Sequence, residues 1–335
     1  MQTWKKVTFI IVLVGFILLS VFFTFYSIAR DTFEFEEQTS IGDIENLNGW
    51  VLYGFNGNTS TQTINIDYVR DKKGGNPDTS KPVVAISDFT IVSDEYVEYI
   101  NIGKDVEYID EKAFYYCKKL KAVFVDEANP YFCSVDGVLY SKDMKTLLLH
   151  PANNAQWQYE NGMIDDSRIA FEESEDGQAV ASYSFDIPQG VTRINGYSFY
   201  KNYKLRDLTI PSTVKEIGDM AFFSCSDMWS MWLPEGLESI GADTFSYCWS
   251  MRPIMYIPKS VTHIGNNAFF SCSDLDVFYM GADSADSIDL GETWLPKSLK
   301  SGAINKAPVP QYGKTLQEAM AEKDRIDAEK DKGAE

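Results

Sequence analysis

Histidine is almost missing from this chain. The two that occur, His150 and His263, stand more than a hundred residues apart, so most familiar acid–base and zinc sites would need other residues. Positive charge is scarce as well: 30 Lys+Arg face 49 Asp+Glu, a formal net charge of −19. A surface of that sign repels phosphate backbones and anionic head groups, which excludes a general nucleic-acid binder. G-x-S-x-G, a Walker phosphate loop, G-x-G-x-x-G and H-E-x-x-H are all absent, and with them the common signatures of hydrolases, nucleotide binders and zinc proteases. No cofactor is indicated. Apolar residues are not in short supply, however: 44% hydrophobic and 24% charged is a globular composition, not that of a disordered chain.

One apolar run dominates the start. Val7 to Ile28 carries 22 residues without a charge, and as a helix it would extend about 33 Å, enough to cross a bilayer core. Lys5 and Lys6 precede it, while Arg30, Asp31, Glu34, Glu36 and Glu37 follow. That asymmetry predicts a transmembrane helix over 7–29, a short cytoplasmic tail over 1–6 and the rest of the chain outside. The competing reading is a signal peptide cleaved near Ala29, giving a secreted protein. The apolar core exceeds the roughly 7–15 residues of such signals, which favours a single-pass anchor in the cell membrane. Residues 30–49, acidic and polar, read as a stalk, and 50–85 as an N-terminal cap.

A period fills the middle. Five segments share an Ile, an aromatic five positions on, a small residue at eight and an apolar one at eleven. They are Ile109-Phe114-Cys117-Leu120, Ile194-Phe199-Asn202-Leu205, Ile217-Phe222-Cys225-Met228, Ile240-Phe245-Cys248-Met251 and Ile264-Phe269-Cys272-Leu275. Steps from Ile194 are 23, 23 and 24 residues, and 23 before Ile109 lies Ile86, with Ile91, Asp94 and Val97 in frame. One such unit cannot bury its own Ile, Phe and Leu, but stacked units cover each other's apolar edges. Short alternating runs closed by proline, such as Met231-Trp232-Leu233-Pro234, predict strands that pair in parallel from unit to unit. The expected fold is therefore a repeat solenoid, mainly parallel β with short turns or helical pieces, behind one transmembrane helix.

The strings IGDMAFFSCSDMWSMWLP, IGADTFSYCWSM and IGNNAFFSCSDLDVFYMG resemble leucine-rich repeats of the BspA-like, bacterial surface antigen type. Asn129-Pro130-Tyr131-Phe132 with Val135 to Tyr140 is similar to that family's inserted hairpin. The resemblance spans about 50–281 and implies a right-handed solenoid displayed on cells or secreted, associated with adhesion or protein binding, with no shared catalytic site. On this frame the repeats run over 86–281, with a hairpin insert at 129–151. Phe185, Ile187 and Pro188 hold the frame ahead of Leu208, Ile210 and Pro211, so 153–178 becomes an inserted acidic loop. After Gly281 the period stops, leaving 282–335 as a C-terminal cap and charged tail, either an exposed helix or a loose end.

Three groups of residues carry candidate chemistry. Cys117, Cys225, Cys248 and Cys272 share one column; side chains on parallel vectors suit a buried thiol ladder better than a metal tetrahedron. The outward strand column reads Asn101, Phe124, Thr209, Trp232, Tyr256 and Tyr279. A row of aromatics on consecutive strands is expected either to bind a sugar or protein partner, with Trp232 as central anchor, or to pack beneath a loop or tail. Phe124, Trp232, Tyr256 and Tyr279 are accordingly the candidate ligand-binding residues. The insertion offers Asp165, Asp166, Glu172, Glu173, Glu175 and Asp176, expected as a solvated charge run, since no Asp-x-Asp-x-Asp-Gly spacing is present. Asn58-Thr59-Ser60 fits the glycan acceptor pattern, and His263 is expected as an exposed turn residue.

The leading functional reading is an anchored, extracytoplasmic, adhesin-like protein that binds a protein or surface glycan through its strand face and is not an enzyme. A structural or docking subunit of a cell-envelope complex is the alternative. A hydrolase built on the acidic insertion is third.

Overall fold

Isoleucine recurs every 23 or 24 residues because each one closes the same short strand bridge in successive coils. Leu147, Ile194, Ile217, Ile240, Ile264 and Leu290 pair one after the next, all in parallel. Ile86 and Ile109 form the same rung nearer the N-terminus. The computed structural model describes residues 32–37, 40–41, 44–45, 47–56, 62–70, 77–92, 96–173, 179–251, 254–295 and 309–332. The apolar run 7–28, the acceptor Asn58, and Asp94, Glu175 and Asp176 lie outside them. Among the described residues, no helix is long and apolar enough to cross a membrane.

Beside the isoleucine rungs the core phenylalanines stack. Phe199, Phe222, Phe245 and Phe269 are fully buried, with centroids 4.9, 5.4 and 5.3 Å apart and planes within 21° of parallel. Each ring removes apolar surface worth about 1.5–3 kcal/mol, and each stacked pair adds about 0.5–1.5 kcal/mol. The sequence reading ended the period at Gly281, but the ladder continues for one more unit. Leu290 takes the isoleucine place and Trp294 closes the aromatic column, 5.5 Å from Phe278, which itself meets Phe269. The last unit went unseen because its step is 26 residues and both of its marks are substituted.

The other side of each coil is a second strand. Thr63–Ile66, Tyr99–Ile102 and Ala122–Val125 pair in parallel, aligning Ile64, Ile100 and Val123 inward and Asn65, Asn101 and Phe124 outward. Further on, Ala179–Asp186, Leu205–Thr209 and Ser230–Met231 form a second parallel set. Ile254–Ile257, Val277–Met280 and Gln311–Tyr312 form a third. The degenerate unit is in frame: Phe185 pairs with Leu208. Prolines end these strands and open the turns that follow, where the Pro211, Pro234 and Pro258 carbonyls accept the amides of Val214, Leu237 and Val261.

Regular structure extends into two segments outside the repeats. Thr32–Glu37, read as part of the stalk, is a strand paired antiparallel with Trp50–Asn56. The 153–178 insertion, read as a loop, contains a helix at Asn154–Glu160 and the strand Ile169–Glu173, which pairs antiparallel with Ala179–Asp186. Buried Asn154 anchors the helix, its Nδ2 donating to the carbonyls of Lys121 and Asp136.

The core divides where the hairpin enters. One apolar cluster runs from Leu52 to Leu139, another from Val138 to Trp294. The strand Val138–Ser141 lies between them: Leu139 belongs to the first, Val138 and Tyr140 to the second. Alternation of side chains along a strand makes one element serve both.

Candidate functional site

The thiol column comes first because it sets what the turns can do. Cys225, Cys248 and Cys272 are buried and unbridged, and each donates its S–H to a carbonyl of the preceding coil, Phe199, Phe222 and Phe245, at 3.2, 3.1 and 3.0 Å. Cys117 does the same to Ile91. Burial pushes the Cys248 thiol up to about 12 and raises those of Cys225 and Cys272 as well, which keeps these three sulfurs as protonated donors to the coil before. In the Ile194 unit Asn202 replaces cysteine, donating to the His150 carbonyl at 3.0 Å while accepting the Tyr183 hydroxyl.

His150 itself is sealed. It is stacked against Tyr183 and Phe199, its Nε2 has no partner, and burial holds it down to about 3. It is a neutral packing residue. His263, expected in a turn, lies in the two-residue strand His263–Ile264, exposed and 2.8 Å from Asp289.

Of the insertion's candidate acids, Asp165 and Asp166 have described side chains, and each is engaged locally. Asp165 accepts the backbone and hydroxyl of Ser167, which lower its pKa, and Asp166 accepts the Tyr159 hydroxyl. Among the described residues no group of three metal-ligating side chains assembles anywhere.

The outward strand column splits into an open and a closed half. Phe124 is 40% exposed, flanked by Tyr99 at 6.2 Å and by Trp157 of the insertion helix at 5.9 Å. Beside it the strands leave an open groove of about 290 Å³, lined by Asn65, Asp67, Asn101, Gly103, Phe124 and Asp126. Asn101 donates to Asn65 at 2.6 Å, which fixes both amides with polar capacity to spare. One aromatic face with amides and carboxylates around it can stack a ligand's apolar side and bond its hydroxyls or backbone.

At the other end the expected stripe is not an open patch. Tyr256 and Tyr279 are only 3% and 8% exposed, and Trp232 is half-buried. With Ile254 they form an apolar cluster completed by Ala319 of the C-terminal helix Leu316–Lys332, with Leu316 and Ile326 packed against it. The Tyr256 hydroxyl donates to Glu235 at 2.8 Å; burial, then that carboxylate, raises its pKa. The physical reason is plain: apolar rings on a solvated sheet gain by being covered, and the chain's own end reaches them.

A second aromatic row lies on the turn side and was not anticipated. Phe89, Tyr115, Tyr200, Phe223, Tyr247 and Phe270 follow one another at 5.4, 4.7, 5.2, 5.3 and 5.5 Å. Tyr115 and Tyr200 touch across the whole insertion, hydroxyls 2.6 Å apart. Lys201 and Lys118 sit over Tyr116. The signal was present at Tyr115, Tyr200, Phe223 and Phe270, each directly after a core phenylalanine (AFYY, SFYK, AFFS, AFFS), while Tyr247 stands two after Phe245. The contacts are mostly edge-on or tilted, with Tyr200 and Phe223 stacked, so the row links successive coils along their turn side.

Against this geometry the family comparison is decisive. The BspA type leucine-rich repeat region matches in six copies, over residues 79–133 and 178–289. The chain carries BspA-type leucine-rich repeats. No curated protein matches the sequence. Solved structures resemble the BspA-type coils more distantly. The pneumococcal vaccine antigen PcpA is 15% identical, with 88% of this chain and 95% of that chain covered at a TM-score of 0.48. A leucine rich cell surface protein of Faecalibacterium prausnitzii is 20% identical, covering 77% and 70% at 0.36. The leucine-rich repeat protein of T. pallidum is 15% identical, covering 77% and 83% at 0.35.

Proposed function

We propose that this chain is a membrane-anchored, extracytoplasmic binding protein whose BspA-type solenoid engages a protein or surface glycan through its strand face, without chemistry of its own. The observation that carries the reading is the open groove beside Phe124, where Asn65 and Asn101 are held by each other and a large ring stays 40% exposed. A net charge of −19 keeps nonspecific anionic surfaces away, so contact depends on that groove's shape and hydrogen bonding. Val7 to Ile28, preceded by Lys5 and Lys6, supports the anchor and its orientation.

The test is binding of the wild type, Phe124→Ala and Asn101→Ala to protein and glycan arrays and to whole cells. Each substitution is expected to weaken capture at least ten-fold while leaving the thermal melt of the solenoid in place. Unchanged capture by both variants would remove the groove from the function. Protease added to intact cells is expected to degrade the repeats; full protection would overturn the extracytoplasmic placement. Recovery of one stoichiometric partner from solubilised membranes, with no capture of foreign cells or glycans, would favour a docking subunit instead.

A further inference from the structure

The C-terminal helix Leu316–Lys332 lies over the end of the strand face, yet its sequence is poorly made for burial. Ten of its 17 residues are charged. Among its residues with described side chains only Ala319 is fully buried, with Leu316 and Ile326 packed partly against Tyr256, Tyr279 and Ile254, while Met320 stays exposed. The seam runs 316, 319, 323, 326, and at the third place stands Lys323, tied to Asp327, where an amphipathic helix would put an apolar side chain. This cluster is separate from the main solenoid core. Helicity, in contrast, is secured locally. Thr315 and Glu318 bond each other's backbone amides, and Arg325–Glu329 and Lys323–Asp327 pair at i,i+4.

A helix stable on its own account but weakly held marks a site built for something of the same shape. We infer that the seam around Trp232, Tyr256 and Tyr279 is a helix-binding site, that Leu316–Lys332 is its internal occupant, and that its outside ligand is an amphipathic helix of a partner protein. That helix presents an apolar residue, a small one, and two further apolar residues at the spacing of 316, 319, 323 and 326. The inference rests on the reading of the strand face as the binding surface. It gives the closed half of that face a partner class, and it makes the chain's own end a competitor that the partner must displace.

A labelled synthetic peptide of residues 313–333 carrying Lys323→Leu, titrated by fluorescence anisotropy, tests this on the full-length protein. Hydrogen exchange follows the native helix in parallel. Ala319→Glu is expected to abolish exchange protection over 316–332, to leave the solenoid melt unchanged, and to bind the peptide at least ten-fold tighter than wild type. Adding Trp232→Ala should remove that gain. Lys323→Leu in the protein itself should tighten the native helix and weaken peptide capture. A released helix with no peptide capture overturns the proposal, as does a helix that stays protected in Ala319→Glu. If Ala319→Glu lowers the solenoid melt, a chain ended after Gly313 replaces it under the same criteria. Phe124→Ala lies outside the seam and should not alter peptide capture. Loss of array binding with peptide capture intact therefore counts against the groove alone, and the reverse counts against the seam alone.

Discussion

Glycine follows isoleucine in unit after unit, and the reason is contact between coils. A Cβ on Gly241 would stand 2.6 Å from the Asp219 amide nitrogen and 2.7 Å from the Gly218 carbonyl carbon; on Gly265 it would meet the Ala242 nitrogen at 2.4 Å. These neighbours are backbone and have nowhere to go. Gly241→Ala is expected to destabilise by about 1–3 kcal/mol, through overpacking of adjacent coils, read as a lower urea midpoint with unchanged slope. His150 makes a pH prediction of definite sign. Its folded pKa, about 3, lies below the ordinary histidine value of 6.5 because burial penalises the charged ring. Stability is therefore complete above about pH 6.5 and declines as pH falls toward 3. At pH 4.5 the loss is on the order of 2 kcal/mol. His150→Phe keeps the flat ring against Tyr183 and Phe199 and should flatten that decline between pH 7 and 4.5; an equally steep decline would place the acid sensitivity elsewhere. In sequence this histidine looked unremarkable, since nothing near it along the chain reveals Tyr183 and Phe199, which reach it from the next coils.

At the scale of elements, legibility follows repetition. The Ile, Phe and Cys columns were readable because each mark is set by the same neighbour one coil away, so one physical demand is written several times. Leu290 and Trp294 satisfy that demand with other side chains at another step, and they passed unnoticed. Of the candidate site, Phe124 lies on the outward column, whereas for Tyr256 and Tyr279 the alternation left both a bound partner and a covering tail open, and the choice between them was not legible. It depends on where a helix some forty residues further along comes to rest. That helix begins with Thr315 as cap: its hydroxyl accepts the Glu318 amide while the Glu318 carboxylate accepts the Thr315 amide at 2.8 Å. Thr315→Ala should cost about 1 kcal/mol of local helix stability. Hydrogen exchange at 317–320 is expected to accelerate several-fold while the coils behind it keep their protection. Equal acceleration throughout the solenoid would mean that the helix and the coils unfold together.

For the whole molecule the consequential feature is the joint made by the strand Val138–Ser141. In a stacked array each coil is stabilised by its neighbours, and cooperativity passes only through the interfaces they share. Here the two largest apolar clusters of the described residues meet at a strand with both faces buried, Leu139 toward one and Val138 and Tyr140 toward the other. The hairpin was legible through the resemblance of Asn129 to Phe132 and Val135 to Tyr140 to the family's inserted hairpin, whereas its role as joint was not, because that role depends on clusters that reach back to Leu52 and on to Trp294. Leu139, fully buried, is the side chain whose loss separates the clusters most directly. Leu139→Ala should destabilise by about 2–5 kcal/mol, with the loss falling on the cluster that runs from Leu52 to Leu139. Urea unfolding followed by hydrogen exchange is then expected to split into two steps, residues 62–125 opening at lower urea than 194–280. Wild-type protein, with the joint intact, should open these regions together or nearly so. If Leu139→Ala shifts both regions by the same amount in one coincident transition, the clusters are a single cooperative core, and the joint has no separate energetic role.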